Sequence, residues 1–302
     1  MKNILIIGSN GFIGKNICHH LSEMSFIVLA ADRASSSTHN HCNKYHQFDV
    51  TKSDFIPLLK DVDAVIYLVS TLLPQASNVN VELDINENLI PIIKLLEAIR
   101  ISGRDIKVIF SSSGGTVYGI HEDLIEETAP LVPKCSYGII KVTVEHYLKL
   151  YHDLYGIKSI SLRISNPYGP GQNIRKPQGV VGIFLSKIIA GKEIEIWGDG
   201  SIVRDFIHVE DVAEAFRLAL TADIGSEAIN IGSGHGLSLN QLLSLIFELT
   251  QKKPKIIYQS PRQVDVPYNI LDINKAYQLL GWSPKIEMRE GLSKVIKENF
   301  MS

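Results

Sequence analysis

Asn3-Ile-Leu-Ile-Ile-Gly8-Ser-Asn-Gly11-Phe-Ile-Gly14 carries an apolar run into three glycines spaced three apart. A continuously apolar run reads as a strand buried on both faces, the condition of a parallel sheet. The pattern after Gly11 is helical, so the glycines stand in a strand-to-helix turn. Side chains there would keep a phosphate from the amides of the helix N-terminus. Gly8, Asn10, Gly11, Phe12, Ile13 and Gly14 are therefore expected to cradle the pyrophosphate of a dinucleotide. Asp32 closes the second apolar run, where a carboxylate accepts hydrogen bonds from both hydroxyls of an adenosine ribose. Its charge repels a 2'-phosphate, which favours NAD over NADP, although Arg33 beside it is a residue able to hold a phosphate. Asp49-Val50 follows a third strand-like segment, where Asp49 reads either as an adenine contact or as a helix cap.

Outward from this turn the same alternation recurs. Apolar or β-branched runs stand at Asn3 to Ile7, Phe26 to Ala31, Ala64 to Val69, Lys107 to Phe110, Ser159 to Leu162 and Ala228 to Ile231, with helix-length segments between several of them. Leu83 to Ile99 and Tyr137 to Leu154 are expected as helices apolar on more than one face, which suits a sheet on one side and a second copy of the chain on another. The fold class this predicts is α/β, a Rossmann-like doubly wound parallel sheet. After Arg163 the texture turns to Gly- and Pro-rich loops and shorter helices, so we expect a dinucleotide domain over 1–166 and a smaller α/β substrate domain over 167–302, with some segments returning to the first. An amphipathic helix is expected from Met288 to Phe300.

The chain has 302 residues, 45% of them hydrophobic, enough for a full core. Thirty Lys and Arg against 32 Asp and Glu leave a formal charge of -2, which argues against a nucleic-acid or anionic-membrane partner. The apolar run Ala64 to Val69 is far short of the ~18 residues of a membrane span. Only four apolar residues separate Met1-Lys2-Asn3 from Gly8, unlike a secretion signal, and the three cysteines are scattered and odd in number. A reducing, cytoplasmic setting is expected. His39, His41, Cys42 and His46 sit in a Ser- and Asn-rich loop without paired ligand spacing, so they read as a solvated loop and no metal is expected.

Tyr137 and Lys141 lie four apart at the start of a helical segment, which puts phenol and ammonium on one face. A tyrosine becomes a base near neutrality when its pKa falls ~3 units, which a nearby cation and an oxidised nicotinamide can supply. Upstream, the strand ending at Phe110 opens into Ser111-Ser-Ser-Gly-Gly-Thr-Val-Tyr-Gly119, a hydroxyl-rich loop at the end of a central strand.

With Asn166-Pro-Tyr-Gly-Pro-Gly171, Trp197-Gly-Asp-Gly200, Arg204-Asp-Phe206-Ile-His-Val-Glu-Asp-Val212, Asn230-Ile-Gly-Ser-Gly234, Arg262 and Asp265, the chain resembles, over nearly its whole length, the extended short-chain dehydrogenase/reductase family, in its NAD-dependent nucleotide-sugar epimerase/dehydratase group. The resemblance implies that Tyr137 is the base and that Lys141 lowers its pKa and holds the nicotinamide ribose. It implies that Asn166, Arg204 and Arg262 hold the substrate's pyrophosphate and that Asp265 meets the nucleoside ribose. The family's usual catalytic Ser or Thr, three residues before Val-Tyr-Gly, is Gly114 here, so the hydroxyl is expected from Ser113, with Thr116 as second choice. Related dehydratases place an Asp-Glu pair where this chain reads Gly115-Thr116, and neither residue carries a proton in that role. The resemblance thus implies epimerisation of a UDP-hexose at C4 through a 4-keto intermediate, of the UDP-glucose/UDP-galactose type, by a homodimer, with reduction of a nucleotide-linked 4-ketosugar as the alternative.

Overall fold

The apolar runs pair side by side in a computed structural model that describes residues 1–172, 179–261 and 266–300. β1 (Lys2–Ile7), β2 (Phe26–Asp32), β3 (Lys44–Gln47), β4 (Ala64–Tyr67), β5 (Lys107–Ser113) and β6 (Ser159–Ile164) lie in one sheet. β7 (Asn166–Tyr168), β8 (Ile194–Trp197) and β9 (Val203–His208) fall outside it, and β10 (Ser226–Ile231) returns to it. The order is β10-β6-β5-β4-β1-β2-β3, parallel throughout. The chain therefore runs outward from β1 in one direction and from β4 in the other, and the crevice at their carboxyl ends is the place such sheets bind ligands.

Helices cover both faces, which is why the strands read as unbroken apolar runs. Along β1 the side chains alternate. Ile4 and Ile6 pack with α1 (Phe12–Ser22) through Ile17, Cys18 and Leu21, whereas Leu5 and Ile7 belong to the opposite core. Between β4 and β5 lie α2 (Pro74–Ser77), α3 (Val81–Asp84) and α4 (Ile90–Ser102), and after β5 comes α5 (Ser136–Tyr155). Leu95, Leu96 and Ile99 of α4 join Ile140, Val144 and Leu148 of α5 against Val65, Tyr67 and Val108.

The helix expected as one piece from Leu83 to Ile99 is broken. α3 ends at Asp84, a wide π-helical turn occupies Ile85–Leu89, and α4 begins just before Pro91. Proline has no N–H to continue the upstream ladder and its ring crowds the carbonyl four residues back, so the hydrogen bonding shifts register. Tyr137 to Leu154, by contrast, is continuous and lengthens by one residue at each end.

The smaller part carries α6 (Val180–Ile189), α7 (Val209–Thr221), α8 (Leu239–Thr250), α9 (Asn274–Leu280) and α10 (Met288–Phe300), with β11 (Gly236–Ser238), β12 (Ile256–Gln259) and β13 (Tyr268–Asn269). β9 is its centre, flanked by β7, β11 and β13, while β8 and β12 pair separately. α6, α8 and α10 enclose a core of Phe184, Leu185, Leu242, Ile246, Leu292 and Val295. α7 and α9 pack instead against the large sheet, through Val212, Phe216, Ala276 and Leu280.

His208 ends β9 and caps α7, its Nδ1 accepting from Glu210 N at 3.3 Å. Its side chain is buried beside Tyr168, and burial pushes its pKa down to about 4. An unfolded histidine titrates at ~6.5, so between that pH and about 4 the unfolded chain binds more protons here than the folded one. Stability present above pH ~6.5 is therefore lost as the pH falls through this window. Urea midpoints measured from neutral to mildly acidic pH should fall more steeply for the wild type than for His208→Asn, which keeps a capping oxygen without the titration.

Candidate functional site

The β1–α1 turn is built by close approach. A Cβ on Gly14 would lie 2.4 Å from Gly8 O and 2.9 Å from Ser9 Cα, both backbone atoms. Gly8 takes φ +91°, and a Cβ there would press on Leu68 and Val69 beyond β4. Gly11 caps α1 with no side-chain hydrogen bond, leaving the first-turn amides to other partners. A glycine-walled helix N-terminus of this kind fits a pyrophosphate. Asp32 accepts from Asn10 N at 3.1 Å and Ala34 N at 3.3 Å, and the Asn10 side chain ties down the following loop through Ser36 O and Thr38 N.

A cleft of about 430 Å³ opens beside this turn. Gly8, Gly11, Phe12, Ile13 and Gly14 form one end, and Ser111, Ser113, Gly115, Thr116, Tyr137 and Lys141 lie along it. Asn166 lines it as well, its Nδ2 donating to Asp205 O at 2.8 Å. Asn10, Asp32, Arg33, Asp49 and Val50 are not among its lining residues. Asp49 accepts from both N and Oγ1 of Thr51, which holds its pKa below the usual carboxylate range, and so caps its own turn. Val50 is buried in the core and Arg33 is exposed. Arg204 stands on β9 with Nη1 donating to Val203 O at 2.9 Å, outside the cleft lining. Arg262 and Asp265 lie outside the described residues. The His41 ring contacts those of His19 and His39, and among the described residues no group of three or more ligating side chains is placed to hold a metal.

Tyr137 and Lys141 meet as their spacing predicts, but with their pKa values displaced the other way. Lys141 Nζ donates to Ser111 O at 2.7 Å and sits 5.2 Å from the centre of the Tyr137 ring. Burial pushes the Lys141 ammonium down to about 8, opposed by Glu145 and Asp84. Burial also pushes the Tyr137 phenol up to about 12, opposed by hydrogen bonds to Ser70 and Ser113. A phenol ionising near neutrality needs the ammonium's full charge or a second cation, and here the ammonium spends a bond on a backbone carbonyl while desolvation acts on both groups. The pair alone therefore holds a protonated phenol.

Gly114 cannot carry the expected hydroxyl, because a Cβ there would lie 2.4 Å from Leu271 Cδ1 and 3.0 Å from Arg163 O. Both alternatives reach the cleft: Ser113 bonds Tyr137, and Thr116 Oγ1 is buried with no partner. Behind them Arg163 and Glu145 form a buried bidentate pair, and Arg163 also donates to Tyr118 OH, whose hydroxyl donates to Asn230 Oδ1. Breaking such a pair on one side leaves an uncompensated charge, so it fixes α5 against the strands that carry the loop.

The segment Tyr67 to Ser77 departs from the common family pattern and is expected from the sequence to line the sugar pocket, and Ser70, Leu73 and Pro74 of it line the cleft, whereas Gln172, Val180 and Phe206 were not foreseen there. Ser70, Leu73 and Pro74 belong to the stretch after β4, and their place beyond the carboxyl end of a strand beside the β1/β4 reversal was the available signal.

Residues 4–232 match the model of the NAD dependent epimerase/dehydratase family. The chain is 35% identical over 307 residues to the dTDP-4-dehydro-6-deoxyglucose reductase of Escherichia coli, covering 98% of this chain and 97% of that protein. It is similar in structure to the UDP-glucose 4-epimerase of Thermotoga maritima crystallised with UDP-glucose, with TM-score 0.92, 34% identity and coverage of 99% and 98% of the two chains. The UDP-glucose 4-epimerase of Thermus thermophilus in complex with NAD gives TM-score 0.89 at 30% identity, covering 98% of each chain.

The approach of α1 to β1 leads to a direct expectation. Gly14→Ala forces backbone apart, and overpacking of this kind costs about 1–3 kcal/mol. A lowered melting temperature and loss of dinucleotide binding, followed by calorimetry, are the expected results.

Proposed function

Because the chain belongs to the NAD-dependent epimerase/dehydratase family, we propose that it epimerises a nucleotide sugar at C4, with a UDP-hexose of the glucose/galactose type as substrate. The observation that carries this reading is the meeting of Tyr137, Lys141, Ser113 and Thr116 in one cleft whose loop has Gly115-Thr116 in place of an acid pair. NAD is the cofactor, and when bound it would supply a reversible acceptor of hydride. The turn Gly8 to Gly14 and Asp32 are the residues that would hold it.

The rest falls to the chain's own groups. Tyr137 takes the proton of the sugar 4-hydroxyl and later returns one to the same oxygen. Its pKa of about 12 in the free protein must fall for the first of these, and positive charge beside it in the cleft has that effect. Lys141 contributes part of that charge and orients the cofactor ribose. Ser113 and Thr116 hydrogen-bond the reacting oxygen as its charge changes. Asn166, Arg204 and Arg262 bind the diphosphate, where guanidinium forks suit phosphate oxygens, and Asp265 binds the nucleoside ribose. Inversion requires the ketone to present its other face, so the sugar must turn within the cleft.

Reduction of a nucleotide-linked 4-ketosugar is a second reading, supported by the kinship with the Escherichia coli reductase and by a phenol that starts out protonated. Release of near-stoichiometric NAD or NADH from the denatured protein, together with interconversion of UDP-glucose and UDP-galactose without added cofactor, is the expected outcome. Turnover only of a 4-ketosugar with supplied reduced cofactor would replace epimerisation with reduction. Tyr137→Phe should lower turnover on the order of 10²–10⁴-fold while nucleotide binding persists. Ser113→Ala should reduce kcat more than Thr116→Val does, since Ser113, unlike Thr116, bonds Tyr137.

A further inference from the structure

α5 begins without a cap of its own, since Cys135 makes no side-chain hydrogen bond to its first turn. Its first amides are capped from elsewhere in the chain. Asn78 Oδ1 accepts from Ser136 N at 2.9 Å, and Ser77 Oγ accepts from Tyr137 N at 3.0 Å. Ser136 Oγ in turn donates to Asp84 Oδ2 at 2.7 Å. The other oxygen of Asp84 accepts from Asn88 Nδ2 at 2.7 Å, and Asn88 Oδ1 accepts from Thr71 N at 2.9 Å. Asp84 and Ser77 are 0% exposed, and the Asp84 bonds to Ser136 and Asn88 are buried.

The segment that makes these bonds also forms the cleft wall. Ser70, Leu73 and Pro74 line the cleft, and Thr71, Ser77, Asn78, Asp84 and Asn88 hold the helix that carries Tyr137. α2 and α3 have four residues each, too few to be stable helices alone, so their place is set by the bonds they make to α5 and to the π-helical turn. We propose that Asp84 and Ser77 are positioning residues of the reaction, which lock the first turn of α5 to the 70–88 wall so that the phenol of Tyr137 and the wall facing the sugar keep one fixed separation. The proposal rests on Tyr137 as the proton-transfer group. Neither residue is among those that line the cleft. Ser77 acts through the Tyr137 backbone and Asp84 through Ser136. Misplacement of a reacting group by about 1 Å costs up to ~10²-fold in rate.

The experiment compares Asp84→Ala, Asp84→Asn, Ser77→Ala and Tyr137→Phe in the full chain with its cofactor, assayed on UDP-hexose interconversion and on reduction of a nucleotide 4-ketosugar. For Asp84→Ala, kcat should fall about 10- to 100-fold with KM and dinucleotide content unchanged. Asp84→Asn, which keeps an oxygen for Ser136, should recover most of that loss. Ser77→Ala leaves the Asp84 bonds in place; it should lower kcat about tenfold and speed amide hydrogen exchange at Tyr137. If Asp84→Ala does not fold, Ser77→Ala carries the test. Normal kcat in the Asp84 and Ser77 variants beside an inactive Tyr137→Phe overturns the positioning role alone. So does a loss in Asp84→Ala shared equally by kcat, KM and melting temperature and not recovered by Asn. Full turnover in Tyr137→Phe overturns the reading of the base, and the positioning role with it.

Discussion

The carboxyl group of Asp205 stands where the two sheets meet, and the shape of the substrate side depends on it. It is fully buried on β9 and accepts from Ser233 N and Oγ at 2.7 Å, from Ser165 Oγ at 3.2 Å and from Leu271 N at 3.3 Å. These partners lie just past the ends of β10 and β6 and on the segment that follows β13. One side chain thus joins the smaller sheet to the carboxyl edge of the large one. Burial pushes its pKa up while the hydrogen bonds hold it down, and a buried acceptor of this kind is costly to leave without its donors. Gly232 is part of the same constraint, because a Cβ there would lie 2.2 Å from the Asp205 oxygen. Asn166 and Arg204, on either side of this joint, take their positions from it.

The site itself combines two kinds of burial. The Arg163–Glu145 pair and the Tyr118–Asn230 bond are fully satisfied, so they rigidify the base of the loop from Ser111 to Gly119. Tyr137 and Lys141 are buried in a different sense, since each is displaced toward its neutral form. In the free protein burial therefore keeps the Tyr137 phenol in its protonated form. Positive charge brought into the cleft beside the phenol would lower its pKa again.

The glycine turn, the six apolar runs and the long helix from Ser136 were legible in the sequence because each is governed by neighbours close along the chain. Backbone approach demands glycine, two-sided burial demands unbroken apolar strands, and helical spacing brings Tyr137 and Lys141 together. The break at Ile85–Leu89 was legible in principle through Pro91, but the apolar periodicity continues across it and conceals the change of register. The capping of α5 by Ser77 and Asn78 was not legible, for these partners lie about sixty positions from the amides they cap. Gly114 was legible as a departure, though its cause, the methyl of Leu271 packed against it, was not.

By itself the sequence determined the parallel sheet, the dinucleotide turn and the presence of a Tyr–Lys pair, since pattern and spacing act over a few residues. The tertiary structure alone decided how burial displaces the pKa values of that pair, which hydroxyls stand beside it and what holds its helix in place. Those properties depend on desolvation and on hydrogen bonds between remote segments, and neither is written in local order.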